Sequence, residues 1–175
     1  MADDDVIASH GLRASLTALS GVEVCGEVRT EREAMRLATE MNPDLVILAL
    51  NLREAHGVEV ARTIRRELPG TEVLIVTPGV SPDLAWIALR AGARGYVTKT
   101  DSCEELATAV YKVCRQEPHL TTSLPPKTRE EIIHIARHAV PDSELTLEVI
   151  ASVLVRSEMK LAAEVEAMLR RRQNV

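Results

Sequence analysis

At 175 residues the chain has room for one substantial hydrophobic core and a smaller appendage. Its 46% hydrophobic and 27% charged residues exclude disorder as the default, and a formal charge of −5 leaves any attraction to nucleic acid or an anionic membrane to local patches. Three cysteines, Cys25, Cys103 and Cys114, lack metal-type spacing and read as reduced thiols. No apolar run is long enough for a bilayer, and Asp3, Asp4 and Asp5 stand where a signal peptide would be basic, so a cytoplasmic protein with no membrane partner is expected.

In chain order, "VEVCGEV" from Val22 to Val28 reads as a strand. The next segment is helical, with Thr30 and Glu33 spaced as a capping box and Ala34, Leu37, Ala38 and Met41 on one face, until Pro43 stops it. "LVILAL", Leu45 to Leu50, is apolar on both faces, as a central strand covered by helices should be. "VEVARTIRREL" is a helix with Val60, Ile64 and Leu68 inward, ended by Pro69 and Gly70 before the strand Glu72 to Val76. "PDLAWIALRAGA" is a further helix closed by Gly92, "GYVTK" a last short strand, and Ser102 with Glu105 opens the helix "CEELATAVYKVCRQ". Strands alternating with crossover helices predict a doubly wound α/β fold, whose site lies beyond the carboxyl ends of its strands. Those ends are Ala49 to Arg53, Thr77 to Gly79, and Thr98 to Thr100.

From Ala2 to about Leu120 the chain resembles the receiver domain of two-component response regulators of the NarL/LuxR type. The matching stretches are "ADDDVIASHGLR", "PDLVILALNL" with Gly57 in step, "VLIVT", and "ALRAGARGYVTKTDSCEEL" followed by "AV". The resemblance implies a flavodoxin-like parallel sheet over 1–120. It also implies an acidic pair for magnesium at Asp3 and Asp4, phosphate contacts from Thr77 and Lys99, and a switch aromatic at Tyr96. The family's phospho-acceptor aspartate falls on Ala49, whose methyl group cannot form an acyl phosphate. Without that carboxylate, magnesium should bind weakly at most, so no cofactor and no catalytic residue are expected. Leu52-Arg53 replaces the usual Met-Pro, and Pro78 follows Thr77 where the family prefers a small residue. A degenerate receiver is therefore expected.

The family's first strand has about five apolar residues before its acidic pair, and strands need that length to pair usefully. Only Met1 and Ala2 precede Asp3 here, so the first strand is expected to be truncated or missing, with the true start upstream. His134 and His138, four apart on a helical stretch, are too few for a metal site and read as a polar helix face.

Pro125 and Pro126 mark a linker over 121–127, and 128–175 reads as a small all-α domain. "TRE" at Thr128 and "IASVLVRSEMKL" from Ile150 resemble a divergent LuxR-type helix-turn-helix. Candidate DNA contacts are Lys160, Arg170, Arg171 and Arg172, opposed by Glu164 and Glu166 on the same would-be recognition helix. An apolar stripe of Leu154, Leu161, Val165, Met168 and Leu169 suits another helix. The expected function is signal transduction and transcription regulation without aspartyl phosphorylation, with DNA as a candidate partner and a homodimer or protein partner alongside it. The alternative is a protein-interaction adaptor that does not bind DNA.

Overall fold

A computed structural model describes residues 1–52 and 55–138 of the chain. The C-terminal expectations, Lys160, Arg170, Arg171 and Arg172 among them, lie outside the described residues.

The first helix, α1 (Val6–Thr17), starts on Asp5, whose carboxylate accepts from the amides of Ile7 and Ala8. Helix α2 (Glu31–Met41) has the expected capping box: Thr30 Oγ1 accepts from Glu33 N, and the Glu33 carboxylate accepts from Arg29 N at 3.2 Å. Ala34 and Ala38 face inward, but Met41 is 49% exposed, since the helix ends there and the chain turns through Asn42 in the left-handed region. Strand β1 (Leu45–Ala49) leads through β2 (Asn51–Leu52), paired antiparallel with β3 (Ala55–His56), into α3 (Gly57–Glu67). Then come β4 (Glu72–Thr77), α4 (Pro82–Arg90), β5 (Gly95–Thr98), α5 (Cys103–Cys114), β6 (His119–Leu120) and α6 (Pro126–His138).

The main sheet is parallel with order β1-β4-β5-β6, and its registers run from Leu45 opposite Glu72 to Thr77 opposite Thr98. Helices cover both faces. One core layer joins Val46, Leu48, Val73 and Ile75 to α2, α3 and α4, and the other joins Ile47, Leu74, Val76 and Val97 to α1 and α5. This odd-even split along each strand explains why "LVILA" and "EVLIVT" carry no polar alternation: both of their faces are buried. The expected α/β fold is the observed one.

The strand expected at Val22 to Val28 is not formed as a strand. Ala2 bridges Leu48 on one side and Val28 on the other, through Ala2 N to Ile47 O and Ala49 N to Ala2 O, both 2.8 Å, and Val28 N to Met1 O, 3.0 Å. The stretch Met1 to Asp3 thus lies between β1 and the end of the 22–28 segment. The outermost pairing is limited to Val28 and one hydrogen bond from the Met1 amine to Gly26 O at 2.9 Å.

At the other end, Thr121 and Leu124 are buried and Ile132 of α6 joins the core layer that includes Leu84 and Ile87 of α4. Within the stretch read as a linker over 121–127 these two side chains are buried and the other five residues are exposed, and Pro126 begins a helix, as proline does well at a first-turn position. Strand β6, only two residues long, had no periodic signal to reveal it. It forms by adding His119 and Leu120 to the edge of β5.

Candidate functional site

The site is built from the carboxyl ends of β1, β4 and β5. Ala49 ends β1, is buried, and gives its N–H to Ala2; Gly57 is pressed against its carbonyl. Thr77 ends β4, and its carbonyl accepts from Lys99 N at 2.7 Å, which ties the loop after β5 to the loop after β4. Parallel register thus brings Asp3, Ala49, Thr77 and Lys99, separated by up to 96 positions in sequence, to one edge of the sheet.

Lys99 is committed to acidic partners. Its Nζ lies 2.9 Å from Asp3 Oδ1 and 2.8 Å from Oδ2, with Asp5 Oδ2 at 3.8 Å. The Asp3 side chain is 1% exposed and that of Lys99 19%, so this ion pair is largely shielded from solvent. Asp3 Oδ1 also accepts from Asp5 N at 3.0 Å. Asp5 was not anticipated as part of the site. The Ala8 N–H it accepts, helped by Lys99, holds its carboxyl below the usual carboxylate range. Its signal was available: an aspartate just before an apolar helix is an N-cap. Asp4, by contrast, is exposed.

Thr77 and Tyr96 form a second cluster. Thr77 Oγ1 is 2.7 Å from Gly79 O and 3.1 Å from Tyr96 Oη, which is itself 3.0 Å from Gly79 O. Ser81 N donates to the same phenol oxygen at 3.1 Å. The ring is fully buried, and burial raises the phenol pKa above its ordinary value. The loop after β4, including Pro78 with its fixed φ, is thereby pinned from inside by the Tyr96 hydroxyl. Tyr96→Phe should cost about 1–2 kcal/mol in urea denaturation, because it removes an acceptor from Ser81 N and a partner from Thr77 while keeping the ring's packing. A loss within a few tenths of a kcal/mol would show that water replaces the phenol there.

Residues 1–111 match the response regulator receiver domain. The chain belongs to that family. This chain is 29% identical over 163 residues to the transcriptional regulatory protein LiaR of Bacillus subtilis, an alignment that covers 93% of this chain and 77% of LiaR. It is 35% identical to the response regulator protein VraR of Staphylococcus aureus over 66% of this chain and about 55% of VraR's length. Among solved structures it is similar to a LuxR-family two-component response regulator from Aurantimonas, with TM-score 0.67 and 32% identity over 76% of this chain and 92% of that one. The receiver domain of NarL from Mycobacterium tuberculosis aligns with TM-score 0.61 and 28% identity, over 65% of this chain and 92% of that one.

Within the receiver the structure brings together the positions singled out in the sequence: Asp3, Ala49, Thr77 and Lys99 at the sheet edge, with Tyr96 behind Thr77. It does not bring Asp4 into the same bonded set. Among the described residues no group of three His, Cys, Asp or Glu side chains is placed to hold a metal ion.

Proposed function

We propose that this receiver transmits its signal without aspartyl phosphorylation and that the protein acts in transcription regulation. The observation that carries the first half is Ala49 at the end of β1, beside an Asp3 carboxylate that Lys99 Nζ hydrogen-bonds at Oδ1 and ion-pairs at Oδ2, an oxygen with no hydrogen bond of its own. Aspartyl phosphorylation needs a carboxylate nucleophile, a divalent cation to offset the gathered negative charge, and a cation free to meet the phosphoryl oxygens. Ala49 offers no nucleophile and no metal oxygen, Asp3 is engaged, and Lys99 is spent on Asp3. These residues do not fit magnesium, so no step is routed through it, and no enzymatic role is assigned.

Thr77 and Tyr96 keep a structural role in this reading: they hold the loop after β4 in one conformation. The receiver then serves as a fixed surface, governed by abundance or by a partner. Support for transcription regulation comes from LiaR, named a transcriptional regulatory protein, and from the 28%-identical Staphylococcus aureus structure, named a DNA-binding response regulator of the LuxR family. The adaptor reading is favoured by one feature of the sequence: Glu164 and Glu166 are acidic in the stretch that follows the helix-turn-helix-like "IASVLVRSEMKL".

The test is joint. Incubation with acetyl phosphate and magnesium, read by intact mass, should leave the protein unlabelled. Electrophoretic mobility shifts on genomic promoter fragments at low salt should show binding that is the same before and after that treatment. Labelling of the wild-type chain ends the phosphorylation-independent reading. Absence of any shift at low salt moves the function to the adaptor.

A further inference from the structure

The stretch that carries the chain from the sheet to α6 is held by two acidic side chains at the start of α5. His119 opens β6 and is 5% exposed, and its Nε2 lies 3.0 Å from Glu105 Oε1. The same oxygen accepts from Thr122 N at 2.8 Å, and Asp101 Oδ1 accepts from Ser123 Oγ at 3.1 Å. Between these bonds Thr121 N donates to Tyr96 O at 2.8 Å, and Leu124 is buried. Beyond this clamp α6 runs against α4, where Ile132 shares a core layer with Leu84 and Ile87. We propose that residues 119–124 form a proton-sensitive latch: a proton taken up by His119 loosens the clamp and frees α6 from α4.

The surroundings of the ring set the direction. A carboxylate only accepts, so Nε2 carries the hydrogen of the neutral ring toward Glu105, and a second proton must go to Nδ1. From α5 the charged groups that face the ring are Glu105 and Lys112, and from α6 Arg129, whose Nε is buried without a hydrogen bond. Strand β5 sets Gly95 and Tyr96 opposite His119 and Leu120, and the neighbouring Arg94 is turned to Glu72.

Burial lowers the His119 pKa below its ordinary value; Glu105 pulls it up, and Lys112 and Arg129 add to the lowering. Once the latch opens, the ring meets water and titrates at the ordinary histidine value of about 6.5. The open form therefore binds the proton more tightly than the closed form. The closed form keeps its full advantage above that value and loses it as pH falls, until the buried ring is itself protonated. No phosphoryl transfer is involved, so failure of the latch leaves the phosphorylation-independent reading standing, and labelling by acetyl phosphate leaves the latch standing.

Hydrogen exchange of the α6 amides in the full chain, corrected for intrinsic chemistry, tests the latch between about pH 7.5 and 5.5, above the carboxylate range. Exchange in α6 should rise severalfold at the lower pH while the β4 amides keep their protection. His119→Gln keeps a neutral donor toward Glu105 and should abolish the rise, whereas His134→Gln, on the exposed side of α6, should keep it. If His119→Gln does not fold, an NMR titration of the His119 ring in the wild-type chain decides in its place, with protonation expected below the ordinary histidine value. An α6 exchange rate that ignores pH would overturn the proposal. So would a rise that survives in His119→Gln or disappears in His134→Gln, or a His119 ring that protonates at or above the ordinary value.

Discussion

Replacing Lys99 by alanine is expected to destabilise the protein by about 3 kcal/mol, because it strands the Asp3 carboxylate in a buried site. Asp3 is 1% exposed at its side chain, and apart from Lys99 its oxygens receive one described hydrogen bond, from Asp5 N. A surface ion pair would cost about 1 kcal/mol or less, so the size of the loss reports whether the pair is as shielded as its burial indicates. The companion variant Asp3→Asn with Lys99→Met removes both charges and keeps an oxygen for Asp5 N. It should recover most of the loss, since an uncharged pair of similar volume avoids the desolvation cost. Urea denaturation of the three proteins decides the matter. A Lys99→Ala loss below about 1 kcal/mol, or no recovery in the double variant, would mean that Lys99 acts by something other than neutralising Asp3.

Gly57→Ala is the second change with a large expected effect. A Cβ at this position would sit 2.1 Å from the carbonyl oxygen of Ala49 and 3.3 Å from that of Leu50, and both are backbone atoms that no rotamer can move aside. The same junction holds the bond from Gly57 N to Leu50 O at 2.7 Å, which fixes the start of α3 against the end of β1. The clash should cost about 3 kcal/mol. Gly70→Ala is the control, since nothing lies within 4 Å of its added Cβ and its φ is not positive. It should be neutral within about 0.5 kcal/mol. A tolerated Gly57→Ala would show that the turn out of β1 can shift, and with it the geometry around Ala49.

Much of this was legible in the sequence because its signals are local. Thr30 with Glu33 and Ser102 with Glu105 marked two helix starts through hydrogen bonds that close within four residues, and both are formed. The doubly apolar runs at Leu45 and Glu72 marked central strands because only a strand covered on both faces tolerates them. Ala49 was legible as the residue at the end of a central strand by its place in "PDLVILALNL", ahead of Gly57. The 22–28 segment misled because its valines alternate as a strand's do, yet a strand exists only if a partner supplies hydrogen bonds along its length. Its partner meets it only at Gly26 and Val28.

The sequence by itself determined most of the order of helices and strands, the burial of both sheet faces, and the methyl side chain of Ala49. Each depends on periodicity or on the chemistry of one side chain, and needs no knowledge of distant neighbours. Only the tertiary structure decided that Lys99 is paired with Asp3, that Tyr96 pins the loop after Thr77, and that Thr121 and Leu124 are buried. Those are contacts between residues up to 96 positions apart. Parallel strands joined by crossover helices bring such residues to one edge through register, which no local pattern encodes.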